Sequence, residues 1–296
     1  MSKADQRYDV VVVGAGMVGA AAAALLARAG FAVAVVEARE PPPFDAAQGV
    51  GLRVSAFSPG SAEVLREAGA WRQVERQRHC PYRRMVVEDR DESSRLEFDA
   101  PEFGLESLGT IVENDLVQWA LWQSLLATGG VELACPDQVA ALENDAGGTV
   151  VGLRSGAQLR CRLLVAADGA DSGVRKLLGI RQQQWEYGQL GVVGVVRSVV
   201  PNPGLAWQRF MEGGPLAFLP LQDGASSIVW SRPEADAARL LGLDEGDFLA
   251  ELRQAAAGGA GYYRAGLSGR GRVAAVKSAY RVVDRGRRRV AEINSD

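Results

Sequence analysis

Histidine is the scarcest informative residue in the sequence, with one copy among 296 residues. A Ser–His–Asp hydrolase, a Cys–His protease or a zinc site with two histidines would therefore have to be built around His79 alone. His79 lies in the polar, arginine-rich stretch RQRHCPYRR, which predicts an ordinary surface residue. We therefore expect no metal site, and we expect any chemistry to come from a bound cofactor.

Cysteine and net charge are also low, and each excludes a class of protein. The three cysteines, Cys80, Cys135 and Cys161, have spacings that fit neither a disulfide framework nor a metal site, which favours a reducing cytoplasm. A net charge of −3 gives no reason to expect a nucleic-acid partner. The chain is long enough for one large domain or two ordinary ones, and its composition is typical of a globular protein.

One long uncharged run is present near the start, in DVVVVGAGMVGAAAAALLARAG. From Val10 to Ala27 it contains eighteen residues without charge, about the length that can cross a bilayer. However, three glycines follow a run of β-branched residues, and the acidic Asp9 is a poor flank for a signal peptide. The pattern therefore predicts a buried strand, a glycine turn and an alanine-rich helix rather than a membrane segment.

The glycines of GAGMVG have the spacing of a dinucleotide-binding turn. Gly14 permits the tight turn, Gly16 lets the backbone approach a pyrophosphate, and Gly19 lets the helix pack closely on the strand. Glu37 ends the next apolar strand, twenty-three residues after Gly14, where a carboxylate accepts hydrogen bonds from ribose hydroxyls. The alternative is a glycine turn in an unrelated α/β protein.

A second acid and glycine follow another apolar strand, in RLLVAADGADSGVR. Asp168-Gly169 would lie at the carboxyl edge of a sheet, where open α/β folds bind their ligands. The alternative is that Asp168 only caps the following helix.

The sequence as a whole predicts an α/β protein with a Rossmann-like nucleotide-binding domain over residues 1–180. Apolar runs of strand length after Trp185 predict a mainly antiparallel sheet as a second domain over residues 181–262. Helices are predicted from ENDLVQWALWQSLLATGG, with Asn114 or Asp115 as N-cap, and from Glu245 to Ala257.

Residues 263–296 are predicted to be a basic, irregular tail. Nine basic residues and one acid lie between residues 264 and 289, in no amphipathic order. Two interpretations remain open, a basic surface for anionic lipids or a partner, and a truncated or frame-shifted end.

In combination these motifs resemble the single-component FAD-dependent aromatic hydroxylases, the class A flavoprotein monooxygenases. Within that family the sequence is most similar to the hydroxylases of ubiquinone biosynthesis. The resemblance runs from about Tyr8 to about Lys277, and it is carried by VVVGAGMVGAAAAALLARAG, LRVSAFS, GTIVENDLVQWALW, LVAADGADSGVRK and PLAFLPLQDGASSIVWS.

The resemblance implies a role for each matching residue in binding FAD. Gly14, Gly16, Gly19 and Glu37 would hold the ADP half, and Arg53 would lie near the phosphates. Asn114 opens the helix that borders the flavin. Asp168 and Gly169, with Ser172 and Arg175, match a motif that serves both FAD and the reduced nicotinamide. The antiparallel sheet would cover the isoalloxazine ring and form the substrate pocket.

The chemistry implied is hydroxylation of a polyprenylated phenol, with NAD(P)H as co-substrate and O2 activated as a flavin C4a-hydroperoxide. No residue stands out as a catalytic base. The implied location is cytoplasmic, with peripheral association to a membrane or a biosynthetic complex through the substrate's tail.

One motif of the family, a Gly-Asp followed by small residues and a histidine, is absent from this sequence. Its absence supports one alternative, a truncated, inactive nucleotide-binding fragment. A second alternative is a flavin-dependent reductase that shares the fold but does not insert oxygen.

Overall fold

The structure is a computed structural model that describes residues 7–90, 94–256, 267–285 and 288–295. Within these ranges the strands are β1 Arg7–Val13, β2 Val33–Val36, β3 Val54–Phe57, β4 His79–Tyr82, β5 Arg84–Glu88, β6 Arg95–Asp99, β7 Gly109–Glu113, β8 Val131–Ala134, β9 Val139–Asp145, β10 Gly148–Leu153, β11 Gln158–Ala166, β12 Gln182–Ser198, β13 Leu205–Arg209, β14 Leu216–Pro220, β15 Ser226–Pro233, β16 Leu267–Arg285 and β17 Arg288–Ser295. The α-helices are α1 Met17–Arg28, α2 Pro59–Glu67, α3 Trp71–Glu75, α4 Asn114–Ala127, α5 Gly173–Leu177, α6 Glu234–Gly242 and α7 Glu245–Ala256, and Ala100–Phe103 form a 3₁₀ helix.

The first sheet has six strands in the order β8-β2-β1-β11-β10-β9. β1 pairs in parallel with both β2 and β11, whereas β10 pairs antiparallel with β11 and β9. The four valines of β1, residues 10–13, are all buried because the sheet is covered on both faces. Helices α1 and α4 pack on one face, and α5 contributes Val174 to the cluster on the other.

The topology of this sheet places a crevice at the carboxyl end of β1. From β1 the chain proceeds to β2 on one side, and it returns much later as β11 on the other side. A change of direction of this kind is where open α/β sheets bind their ligands.

The second sheet has eight strands in the order β17-β16-β12-β15-β14-β13-β5-β6. One of its faces packs Phe218, Ile228 and Trp230 against α6 and α7. Its other face contributes Val195 and Leu219 to a separate apolar cluster. The faces differ because alternate residues along a strand point to opposite sides.

A small third sheet, in the order β3-β7-β4, connects these parts. Ile111 of β7 and Tyr82 of β4 pack against the second sheet. β7 continues directly into α4, which packs on α1 of the first sheet. The strand and helix together therefore tie the two larger sheets to each other.

The predicted α/β class, with a Rossmann-like part and a mainly antiparallel sheet, is confirmed. The domain division at residue 180 stays a prediction, although the second sheet also takes β5 and β6 from the N-terminal part of the chain. Among the helices in the described ranges, none has the length and apolar character needed to cross a membrane.

Two local predictions are wrong. The segment predicted as an irregular tail contains β16 and β17, because β16 pairs with β12 over most of its length and β17 pairs with β16. The valines at positions 273, 276, 282 and 283 provided a strand signal that the surrounding arginines obscured. Helix α4 begins at Asn114, but its N-cap is Glu113 and no side chain caps it.

Candidate functional site

The glycine turn lies at the carboxyl end of β1 and packs directly against the end of β11. Gly14 has φ +96°, and a Cβ atom there would lie 2.3 Å from the carbonyl oxygen of Ala167. A Cβ atom on Gly19 would lie 1.9 Å from the carbonyl oxygen of Gly14. Both positions therefore require glycine for the turn, the helix and the neighbouring strand to pack together.

Gly16 has a different environment, because a Cβ atom there would meet no protein atom within 4 Å. Gly16 is the N-cap of α1 and has no side-chain cap of its own. The first N–H groups of a helix lack intrahelical partners and favour an anion. This helix end has open space for a pyrophosphate, and the assignment of Gly16 to FAD stays a prediction.

Glu37 follows β2 and fixes the glycine turn from the other side. Its Oε2 accepts a hydrogen bond from the Ala15 N–H at 2.6 Å, and its Oε1 accepts one from the Arg39 N–H at 3.0 Å. The carboxylate thus has a structural function in shaping the turn. Its contact with a ribose stays a prediction.

Asp168 lies beside the same turn and makes local hydrogen bonds. Its Oδ1 accepts from the Ser172 hydroxyl at 2.6 Å, and its Oδ2 accepts from the Val174 N–H at 3.1 Å. Ser172 in turn caps α5 by accepting from the Arg175 N–H. The N-cap of α5 is therefore Ser172, and Asp168 supports it through these local hydrogen bonds. Gly169 adjoins open space with φ +77°.

Arg53 and Asn114 form a second group. The Asn114 N–H donates to the Arg53 carbonyl at 3.0 Å, and the Asn114 Oδ1 accepts from the Ser55 hydroxyl at 2.7 Å. The eight residues predicted from the sequence thus fall into a group at the glycine turn and a pair beside α4. The loop after β2 connects the two, since Trp122 of α4 donates to Glu40 at 3.2 Å.

A cavity of about 1190 Å³ lies next to Arg53, between the third sheet and the second. Its apolar wall includes Val50, Ile111, Val195 and Leu221. Ligand pockets in proteins commonly measure about 300–1,000 Å³, so this cavity is large enough for a sizeable ligand. Its remaining lining comes from Pro42, Pro43, Phe44, Asp45, Gln48, Gly49, Gly51, Leu52, Arg53, Arg78, His79, Cys80, Val112, Glu113, Asp115, Arg197, Gln222, Asp223 and Glu245.

Several lining residues were missed by the sequence analysis. His79, predicted as a surface residue, is half-buried in β4 and lines the cavity. Arg78 and Glu113 form an ion pair beside it, with the Arg78 Nε 2.9 Å from the Glu113 Oε1. The arginine-rich composition of RQRHCPYRR concealed both facts, because a charged stretch usually indicates an exposed loop.

Cys80 also lines the cavity. Burial, with a smaller contribution from Asp223, raises the pKa of the Cys80 thiol to about 11. Near neutral pH the side chain is therefore a protonated, weakly polar part of the wall. Across the described residues, no three His, Cys, Asp or Glu side chains come together as a possible metal site.

The fold and the glycine turn define a dinucleotide-binding α/β protein. More narrowly, the chain belongs to the FAD binding domain family, whose family model matches residues 7–253. The open space at Gly16 and the large cavity fit the phosphates and the ring system of FAD, respectively.

Individual relatives are similar over most of this chain. The 3-demethoxyubiquinol 3-hydroxylase of Escherichia coli (strain K12) is 38% identical over 248 residues, which cover 84% of this chain and 63% of the relative. The mitochondrial ubiquinone biosynthesis monooxygenase COQ6 of Xenopus tropicalis is 36% identical over 263 residues, covering 84% of this chain and 56% of the relative. The chain thus spans about three fifths of the length of these relatives.

Solved structures share the fold. The crystal structure of PqsL from P. aeruginosa, in complex with 2-aminobenzoylacetate, has a TM-score of 0.70 at 23% identity, covering 89% of this chain and 73% of PqsL.

Proposed function

We propose that the protein is an FAD-dependent monooxygenase that hydroxylates a polyprenylated phenol of ubiquinone biosynthesis, with NAD(P)H as reductant. The observation that carries the proposal is the 38% identity to a 3-demethoxyubiquinol 3-hydroxylase over 84% of the chain. The family model, which matches residues 7–253, spans both the nucleotide turn and the strands that border the cavity.

FAD would be held at two places. Gly16 and the N-terminus of α1 would bind the pyrophosphate, with Glu37 fixing the turn. Arg53 would form an ion pair with the phosphates from the cavity side. Asn114 would fix the Arg53 backbone, because the Asn114 N–H donates to the Arg53 carbonyl oxygen. Bound FAD, once reduced, supplies the activation of O2 that the protein's own side chains do not supply.

The protein's contribution to the chemistry would be a cavity with an apolar wall. Val50, Ile111, Val195 and Leu221 offer apolar surface on which an aromatic ring can be oriented and from which water is excluded. The high pKa of Cys80 keeps the thiol protonated, so the wall next to the ring carries no thiolate near neutral pH. An apolar substrate tail would also bring the protein to the membrane surface as a peripheral protein.

The experiment combines three measurements on the purified chain: the visible spectrum after FAD is added, the oxidation of NADH or NADPH, and the transfer of ¹⁸O from ¹⁸O₂ to a short-chain prenylated phenol. Phenol-dependent oxidation with one labelled oxygen in the product supports the proposal. NAD(P)H oxidation without label in the phenol would instead identify a reductase. If the chain binds FAD but oxidises neither NADH nor NADPH, flavin binding is its only function among those tested.

A further inference from the structure

The loop between β2 and β3 forms one side of the cavity, and it contains no regular secondary structure. Residues 42–53 all lie in or beside this wall, except for a short exposed stretch at Ala46 and Ala47. A loop of this length needs contacts outside itself to keep one conformation. Those contacts come mainly from Arg78 and Glu113.

Arg78 uses each of its guanidinium nitrogens. Its Nε lies 2.9 Å from the Glu113 Oε1, and its Nη2 lies 3.2 Å from the Glu113 Oε2. Its Nη1 donates to the carbonyl oxygen of Ala46 at 3.0 Å and to that of Gln48. The guanidinium also lies over the Phe44 ring, 5.3 Å from its centroid.

Glu113 binds the same loop at its other end. Its Oε2 accepts the Gly51 N–H at 2.6 Å. A Cβ atom on Gly51 would lie 3.2 Å from that oxygen, so glycine permits this close approach. Glu113 is 5% exposed, and a carboxylate this deeply buried is retained at low cost only where charged and N–H donors surround it.

Two residues that contact Glu113 lie close to Arg53 in the chain. Gly51 is two residues before Arg53, and Val54 pairs with Glu113 across β3 and β7. Asn114, next to Glu113, donates its N–H to the Arg53 carbonyl. The Arg53 backbone is therefore fixed on both sides by residues 113 and 114.

We infer that Arg78 and Glu113 are positioning residues, which hold residues 44–53 in place and thereby set the position of Arg53 toward the phosphates of FAD. The inference rests on the proposed flavin site, but not on hydroxylation or on the identity of the phenol. A lysine cannot replace Arg78, because it lacks the planar donors that reach a carboxylate and two carbonyls together.

The test uses Arg78→Lys, with Arg239→Lys as the matched control. Arg239 also makes a two-bond ion pair, with Glu251 at 2.6 and 2.8 Å, but it lies on α6 and does not line the cavity. In the flavin-free protein, we expect amide hydrogen exchange in residues 44–53 to be about tenfold faster in Arg78→Lys than in the control.

A double-mutant cycle tests the effect on Arg53. Arg53→Ala and Arg78→Lys should each raise the Kd for FAD about tenfold, whereas the double variant should raise it far less than the roughly hundredfold expected for independent effects. If Arg78→Lys does not fold, Glu113→Gln takes its place, since it keeps the side-chain shape and removes the charge.

Two results would overturn the inference: exchange in residues 44–53 equal to that of the control, or Kd effects that multiply in the double variant. A wild-type protein that binds FAD but does not label the phenol would overturn the proposed function alone. Hydrogen exchange needs neither FAD nor substrate, so the two failures are distinguishable.

Discussion

Gly16 differs from the other glycines of the turn in what a side chain would meet. At Gly14 and Gly19 a Cβ atom would collide with backbone atoms of the protein itself. At Gly16 it would enter open space. The same sequence motif therefore contains two glycines that the packing requires and one, Gly16, that the packing does not require.

We expect Gly16→Val to abolish FAD binding and to leave the flavin-free protein folded, because the branched side chain would occupy the pyrophosphate position. Gly129→Val is the matched control, since Gly129 also adjoins open space but lies before β8, at the amino end of the sheet. Flavin fluorescence titration gives the affinity, and circular dichroism reports the fold. Normal FAD affinity in Gly16→Val would contradict the placement of the phosphates.

The buried position of Cys80 in the cavity wall should make its thiol react slowly with alkylating reagents. With its pKa raised to about 11 by burial, only about one Cys80 side chain in a thousand is a thiolate at pH 8. We expect iodoacetamide to modify Cys80 about a hundredfold more slowly in the native protein than in urea, as followed by mass spectrometry of the Cys80 peptide. Equal rates would mean that the thiol is exposed to water in solution.

At the scale of elements, α6 and α7 illustrate how ion pairs couple two helices on the outer face of the second sheet. Arg239 of α6 binds Glu251 of α7, and this hydrogen bond lowers the pKa of the Glu251 carboxyl below its usual value. Arg232 lowers the pKa of Asp236 in the same way. These carboxylates stabilise the fold above the pKa they have in the unfolded chain, and this contribution is lost as the pH falls through the lowered pKa.

The Arg239→Ala variant tests that coupling. We expect its Tm to be about 1–2 °C below that of the wild type near pH 7, a small effect because both side chains are partly exposed. The difference should narrow as the pH falls below about 4, the ordinary range of a carboxyl pKa, and should vanish once the pH has passed the lowered pKa of Glu251. Thermal melts at several pH values between 7 and 3 measure it. A difference that stays constant with pH would exclude the ion pair as its cause.

At the scale of the molecule, the nucleotide turn and the cavity are built by different sheets. The turn belongs to the first sheet, whereas the cavity lies between the second and the third. A ligand that occupies both regions stabilises all three sheets, while one confined to the turn contacts only the first.

FAD should therefore raise the Tm more than ADP does. At about 100 times its Kd, FAD adds about 2.7 kcal/mol to the free energy of unfolding, which corresponds to roughly 4–5 °C for a protein of this size. ADP at the same concentration should give a clearly smaller shift, because it lacks the ring system that would fill the cavity. Equal shifts would show that the cavity takes no part in binding FAD.

The nucleotide turn could be predicted from the sequence because its determinants are local. β1, the turn, α1 and β2 follow one another within thirty residues, and hydrophobic periodicity and glycine spacing report on such short segments. The same reasoning correctly identified the antiparallel sheet after residue 181, but it failed for β16 and β17, where arginines obscured the strand pattern. β16 forms because it pairs with β12, and β17 forms because it pairs with β16; the partner β12 is distant in the sequence, so this pairing leaves no local signal.

The sequence by itself thus determined the fold class and the residues of the glycine turn. Only the tertiary structure shows where the cavity lies and that Arg78 contacts Glu113. It also shows that His79, predicted as a surface residue, lines that cavity. Arg78 and Glu113 lie 35 positions apart, Arg78 immediately before β4 and Glu113 at the end of β7. The register of β4 and β7 on the third sheet brings them together, and no spacing in the sequence encodes that register.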